Sequence, residues 1–332
     1  MSPFFSIIIP AYNIEKYIHC TINSIINQKY QDFELIIVDD CSSDNTLNII
    51  TSYEEKYKNI TVIKHSENQT QHIARMNGVN IAKGKYILFL DGDDSFTEDA
   101  FLILYNIIQN NQCFDFYEFG YIMQPSHYKV FPSFIEKDRF SAYFSKDKYP
   151  VHTVWNKVYT SDLLKKAFSS MEKISIKQGV EDIYESIVIA YFLKKTMNIN
   201  KIIINYTVGS GVSTTYKDYN TTITYLNSIK LMLNLLKTFL NNNNQLINMD
   251  NLYYRCMSDT INSYFNTQEN IEEEKKLYLV LLDYFDRNII LEYLFNNKNV
   301  KLILNSKDYK VGHLILYPLR KIKSLLKLIF NF

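Results

Sequence analysis

Tyr86-Ile87-Leu88-Phe89-Leu90-Asp91-Gly92-Asp93-Asp94 is the stretch on which the fold of this 332-residue chain turns. Five consecutive apolar residues bounded by a turn signal read as a strand buried on both faces, as in a parallel sheet covered by helices. That strand delivers three carboxylates to its C-terminal tip. Two acidic side chains flanking one small residue can grip a divalent cation by their oxygens and leave room for phosphate oxygens. Taken alone, Asp-Gly-Asp-Asp describes a solvated turn better than a cation site, so the neighbouring sequence has to decide.

Upstream, strand and helix patterns alternate. Ser6–Pro10 is a short β-branched run, and Glu15–Asn27 carries helical spacing at Ile18, Ile22, Ile25 and Ile26. Phe33–Asp39 and Ile60–Lys64 read as strands, Thr46–Lys56 and about His72–Ala82 as helices. Tyr86–Asp91 is a fourth strand, followed by a helix over Thr97–Asn110 with Glu98 and Asp99 in its first turn. This alternation predicts an α/β fold with a Rossmann-like, mainly parallel sheet flanked by helices, in which ligands bind beyond the carboxyl ends of the strands. Three of the four strands end in polar punctuation: Pro10-Ala11-Tyr12-Asn13, Asp39-Asp40-Cys41-Ser42 and Asp91-Gly92-Asp93-Asp94. Their polar groups should meet at one edge. From Gln112 to about Thr215 the pattern is mixed, with short strands and loops around Trp155, Glu181-Asp182 and Asn200–Tyr206. After Lys217 it is helical over Leu226–Leu240, Leu252–Phe265, Glu273–Phe285 and Ile289–Phe295. A boundary near 216 therefore divides an α/β domain, 1–216, from a helical region, 217–332.

Composition narrows the function. A net charge of +1 gives no field for nucleic acid. The four cysteines are far apart and read as reduced, mostly buried thiols of a cytosolic protein. The six histidines are scattered without metal-ligand spacing. The N-terminus has no signal-peptide pattern, and no apolar run is long enough to span a bilayer. The expectation is a cytoplasmic protein, soluble or peripheral on the inner face of the membrane.

Ser6-Ile7-Ile8-Ile9-Pro10-Ala11-Tyr12-Asn13, then Phe33-Glu34-Leu35-Ile36-Ile37-Val38-Asp39-Asp40-Cys41-Ser42-Ser43-Asp44, then Asp91-Gly92-Asp93-Asp94 together resemble the family 2 glycosyltransferases of GT-A fold, over about residues 4–215. The resemblance implies inverting transfer from a nucleotide diphospho-sugar, here a UDP-sugar. It implies a nucleotide-sugar site from Pro10, Ala11, Tyr12, Asp40, Arg75, Asp91 and Gly92, and Mn²⁺ or Mg²⁺ held by Asp93 with Asp91. Beside it stands the chemistry of the side chains. Tyr12 can offer its ring to uracil or be an ordinary core tyrosine; Asp40 can accept from the base imide or cap a turn. Arg75, in Ala74-Arg75-Met76-Asn77-Gly78, resembles an arginine that faces the nucleotide, against the alternative of a surface helix arginine.

Glu181-Asp182 resembles the family's acidic pair at a helix start, with Asp182 as general base and Glu181 orienting it or touching the acceptor. A helix N-terminus would hold both ionised, and both could simply cap the helix Ile183–Lys194. Trp155, Asn156 and Lys157 resemble an acceptor-site segment, where the indole could carry a sugar ring or pack in the core. Tyr206–Ser213 resembles a loop that closes over diphosphate. The 318–330 segment pairs an apolar helical face with a basic one, which suits either anionic membrane contact or packing on the body. The expected partners are a UDP-sugar and a saccharide or lipid-linked saccharide acceptor of bacterial lipopolysaccharide or capsule synthesis. The helical region is a candidate for acceptor binding, membrane contact or homo-oligomer pairing. Two rival readings are a sugar-phosphate nucleotidyltransferase, which usually carries a Gly-rich basic loop that Pro10–Lys16 does not offer, and a membrane-associated, non-catalytic glycan-assembly protein.

Overall fold

A computed structural model of the chain describes residues 2–132, 138–146, 149–176, 180–209 and 219–265, with 281 and 284–286. In order, the first elements are β1 (Phe5–Ala11), α1 (Ile18–Ile26), β2 (Phe33–Asp39), α2 (Thr46–Lys56), β3 (Ile60–Lys64) and α3 (Thr70–Ile81). Next come β4 (Tyr86–Phe89), β5 (Ser95–Phe96), α4 (Ala100–Asn110), β6 (Phe116–Gln124), β7 (Tyr128–Val130) and α5 (Arg139–Ala142). Then follow β8 (Lys157–Thr160), α6 (Ser161–Ser169), α7 (Glu181–Phe192), β9 (Thr196–Thr207), α8 (Tyr219–Asn242) and α9 (Asp250–Phe265).

One sheet runs β3-β2-β1-β4-β8-β6-β9-β5, with β7 paired to β6. Its first four strands are parallel, as the apolar runs predict. Beyond β4 the sheet is mixed, because β8 enters antiparallel to both β4 and β6 while β9 lies parallel to β6. Ile7, Ile8 and Ile9 of β1 and Ile87, Leu88 and Phe89 of β4 are fully buried, so their β-branched and aromatic side chains fill both faces of the central pair. Ile18, Ile22 and Ile25 form the buried stripe of α1.

Several boundaries differ from the sequence pattern. β4 ends at Phe89, although Leu90 N still donates to Ile8 O, so Asp91 lies just beyond the ladder. α4 starts at Ala100, not Thr97, and its first turn has no acid. Asp99 sits at φ 60° and turns its carboxylate to Lys29 at 2.9 Å. α7 starts two residues early, at Glu181. Of the four thiols only Cys256 is buried; Cys20 and Cys113 are exposed and Cys41 partly so.

The chain divides into two compact units, made by the described residues of 1–143, 147–213 and 234–245, and by those of 144–146, 214–233 and 246–332. In the second, Leu226, Ile229 and Met232 of α8 and Leu252 and Met257 of α9 are buried, and Asn251 Nδ2 donates to Phe144 O at 2.9 Å. The helices expected over Glu273–Phe285 and Ile289–Phe295 and the amphipathic segment 318–330 lie wholly or mostly outside the described residues. No helix among the described residues is long and apolar enough to cross a membrane.

Candidate active site

The C-terminal tips of β2, β1 and β4 are adjacent and laced together. Ala11 pairs with Asp39 in register, and Asp40 N donates to Ala11 O at 2.8 Å, extending the ladder by one step. Asn13 N donates to Ser42 Oγ at 3.1 Å, and Ser43 N to Asn13 Oδ1 at 2.8 Å. At the β4 tip, Thr21 Oγ1 donates to Gly92 O at 2.8 Å, and a Cβ at Gly92 would lie 2.1 Å from Ile14 Cδ1. Only glycine therefore lets this turn lie against the β1 loop without displacing Ile14. Three non-glycine residues at this edge have left-handed φ: Asn13 (51°), Cys41 (62°) and Thr70 (78°). Such conformations are unfavourable, most of all for β-branched Thr70, and persist only where surrounding contacts impose them.

Tyr12, 43% exposed just past β1, presents its ring to solvent at this edge, a position open to stacking. Asp40 differs from expectation. Its Oδ1 faces His65 Nδ1 at 2.7 Å and accepts from Gln69 N at 2.8 Å, while Oδ2 accepts from Thr70 N at 2.8 Å. Buried and supplied with a donor on each oxygen, the Asp40 side chain braces the start of α3. The neighbouring Asp39 Oδ1 is the buried acceptor at this tip that lacks a hydrogen-bond partner. Asp40→Asn is expected to lower stability by about 2 kcal/mol, because one amide end must face an N–H donor and leaves it unsatisfied. Urea unfolding of the two proteins checks this.

α3 links the tips to the acids. Gln71 Nε2 donates to Asp91 Oδ1 at 2.8 Å, and one turn on, Arg75 Nη2 lies 3.5 Å from the same oxygen. Burial raises the Asp91 carboxyl to about 7, with Arg75 pulling down and the charges of Asp182 and Asp93 pushing further up. Asp94 is buried and raised to about 9 by burial and then by Asp91. Its Oδ1 accepts from Thr207 N at 2.8 Å, which fastens the end of β9 to this turn, and its Oδ2 has no partner. Asp93 is partly exposed beside them. Crowded carboxylates with an orphaned oxygen and one shared guanidinium suit a hard divalent cation, whose preferred donors are oxygens. Among the described residues no three His, Cys, Asp or Glu side chains form a metal cage, so the remaining donors would have to come from a ligand.

The first turn of α7 completes the cluster. Asp182 Oδ1 accepts from Arg75 Nη1 at 2.5 Å, and Glu185 Oε2 accepts from the same nitrogen at 2.9 Å. The N-cap, Val180, has no side chain that can cap, and Glu181 and Asp182 stand in the first turn. Burial raises the Asp182 carboxyl, with Arg75 opposing and Glu185 adding to the rise. Glu181 is buried, raised to about 8 by burial and by Asp182, and its Oε2 lacks a partner. Arg75 itself is 1% exposed, so its guanidinium serves three carboxylates from two segments, the β4 turn and α7, and is no surface arginine.

Trp155, Asn156 and Lys157 lie inside the protein. The indole stacks on Tyr206 with ring centres 5.1 Å apart and planes 4° apart, while Tyr121 meets it edge-on at 4.8 Å. At 5% exposure it has no open face for a sugar ring. Lys157 Nζ donates to Thr153 O and to Asn156 Oδ1, and lies 3.4 Å from Glu118, which also accepts from Arg139 at 2.8 Å. Burial lowers the Lys157 ammonium to about 8. These polar atoms hold the floor under the site, and the ring that stands between Trp155 and the acids is that of Tyr206. Burial raises its phenol to about 12, with Asp94, Asp91 and Asp93 adding to the rise. Of the loop expected over Tyr206–Ser213, residues 210–213 lie outside the described residues.

Gln71, His72 and Glu185 are site residues that the sequence motifs did not single out. Spacing carries a signal for two of them: His72 is one turn before Arg75 on α3, and Glu185 is three residues after Asp182 on α7.

A mixed sheet with its parallel half ending in a carboxylate-lined edge is the GT-A architecture. The crystal structure of TarS residues 1–349 from S. aureus shares this fold, with a TM-score of 0.60 and 18% identity, covering 98% of this chain and 90% of that one. Residues 6–159 match the model of Glycosyl transferase family 2. Over 110 residues it is 43% identical to the poly(ribitol-phosphate) beta-glucosyltransferase of Bacillus spizizenii, covering 32% of this chain and 17% of that protein. Over another 110-residue match it is 40% identical to the poly(ribitol-phosphate) beta-N-acetylglucosaminyltransferase TarP of Staphylococcus aureus, covering 32% and 33%. The match to the putative teichuronic acid biosynthesis glycosyltransferase TuaG of Bacillus subtilis is 40% identical over 97 residues, covering 29% and 38%. The chain thus spans well under half the length of these curated relatives.

Proposed function

We propose that this protein transfers a hexose or N-acetylhexosamine from a UDP-sugar, with inversion, to a hydroxyl of a bacterial surface glycan. One observation carries the reading: a single buried guanidinium, Arg75, holds Asp91 of the β4 turn at 3.5 Å and Asp182 of α7 at 2.5 Å. Acids suited to two halves of one reaction are thereby side by side. Asp182 takes the proton as the acceptor oxygen forms its bond to the anomeric carbon. The bond from that carbon to the diphosphate breaks, and UDP leaves on the opposite face. Tyr12 supplies a face for the base. Asp91 and Asp93 would hold Mn²⁺ or Mg²⁺, which when bound supplies counter-charge to the leaving diphosphate.

The TarS complexes with UDP and with UDP-GlcNAc support uridine as the base. The poly(ribitol-phosphate) and teichuronic acid relatives favour an anionic wall polymer as acceptor over the lipopolysaccharide or capsule suggested by sequence. A nucleotidyltransferase is disfavoured because Pro10–Lys16 has no Gly-rich basic loop. Work on the cytoplasmic face, membrane contact through 318–330 and pairing into a homo-oligomer remain part of the proposal and rest on the sequence.

A thermal-shift screen of UDP-, GDP- and CMP-sugars, each with Mn²⁺ or with EDTA, tests the reading. UDP-sugars with Mn²⁺ are expected to stabilise by about 2.7 kcal/mol at a hundredfold excess over Kd. EDTA should remove most of that gain. Equal shifts with all three bases, or no transfer of labelled sugar to any wall-polymer acceptor, would overturn it.

A further inference from the structure

Three strands order the aromatic rings beside the acids. Trp155 stands two residues before β8, and Tyr121 of β6 pairs with Ile204 of β9, two residues before Tyr206. The Tyr206 ring lies parallel to the indole, 4° between planes and 5.1 Å between centres, and Tyr121 crosses it at 68° from 5.9 Å. The backbone on either side of Tyr206 is tied to the carboxylate turn. Asn205 pairs with Ser95 in the β5–β9 ladder and its Nδ2 donates to Ser95 Oγ at 3.2 Å. Thr207 N donates to Asp94 Oδ1 at 2.8 Å, and Asp94 N to Asp91 O at 3.1 Å. Trp155 is buried at 5%, whereas Tyr206 stays partly exposed. A flat ring fixed in advance loses little further entropy when a ligand settles on it.

We propose that Tyr206, backed by Trp155 and fastened to the Asp91–Asp94 turn, is a donor-binding residue whose ring carries the apolar C–H face of the sugar being transferred. This rests on the reading of the site as one for a nucleotide diphospho-sugar. In such a donor the sugar is bonded directly to the second phosphate. A diphosphate held at the Asp91–Asp94 turn therefore sets the sugar beside that turn, where Tyr206 is anchored on both sides. The acceptor comes from elsewhere, because inversion requires attack on the face opposite the leaving diphosphate. The ring offers the sugar a broad apolar surface and leaves the hydroxyls at the sugar's rim free to hydrogen-bond.

Calorimetric titration of the full-length protein with Mn²⁺ tests this, comparing UDP with UDP-glucose, UDP-galactose and their N-acetylhexosamine counterparts. Tyr206→Leu keeps apolar bulk and removes the flat ring. It should weaken the best-bound UDP-sugar by roughly tenfold, the scale of one aromatic contact, and leave UDP within about twofold of wild type. Tyr206→Phe keeps the ring and should bind both ligands as wild type does; if the leucine variant does not fold, Tyr206→His, with a smaller ring, takes its place and should lose part of the sugar's share. Equal losses for UDP and UDP-sugar in a folded variant overturn the proposal, since Tyr206 would then only support the carboxylate turn. Unchanged affinity for both overturns it too, as does a phenylalanine variant that loses as much as leucine. Should GDP- or CMP-sugars bind in place of UDP-sugars, the functional reading fails, and the same comparison with that nucleotide pair still decides the role of Tyr206.

Discussion

Asp182→Asn is expected to lower kcat by about a thousandfold, the size of effect that loss of a positioned general base produces, with UDP affinity within a few-fold of wild type. The separation follows from where the side chain sits. Asp182 Oδ1 lies in the first turn of α7, 22% exposed, while the residues proposed for the nucleotide lie at the tips of β1 and β4. The amide is nearly isosteric, and its oxygen can still accept from Arg75 Nη1, so the guanidinium stays paired with Glu185 and Asp91. What disappears is the ability to take a proton. Calorimetric titration with UDP and a transfer assay at saturating donor check the two halves. Parallel loss of binding and turnover would mean that Asp182 holds up the donor site and does not serve as the base.

Arg75→Met should have the largest effect on the folded state. The guanidinium is 1% exposed and is the cation shared by Asp182, Glu185 and Asp91. Removing one partner of a buried ion pair typically costs about 3–5 kcal/mol, because the remaining charges stay desolvated. Here three carboxylates would be left facing one another. The loss should show in chemical denaturation, and transfer should fall with it, since the cation that bridges Asp91 and Asp182 would be gone. Arg75→Lys restores the charge but not the planar fork, so it should recover part of the stability and little of the activity. A methionine variant as stable as wild type would show that the acids are held by contacts other than this hub.

The parallel half of the sheet was legible because strands buried on both faces leave long apolar runs, and Ser6–Pro10, Phe33–Asp39 and Tyr86–Leu90 are such runs. The second half was not. β8 and β9 pair with β6 across long sequence separations and in opposite directions, and no local pattern encodes a partner's direction. The same holds within the site. That Asp91, Asp93, Glu181 and Asp182 belong together could be read from motif order. That Asp40 spends its oxygens on His65 and the start of α3, and that Trp155 lies under Tyr206, could not.

By itself, then, the sequence determined which side chains could do chemistry and at which strand tips they stand, because burial and period 2 or 3.6 are written into neighbouring residues. Only the tertiary structure decided which of those groups remain available. Hydrogen-bond capacity is finite, and whether a carboxylate is already satisfied depends on donors brought in from other elements. His65 reaches Asp40, Arg75 reaches Asp182 from 107 positions away, and Glu185 shares that same nitrogen.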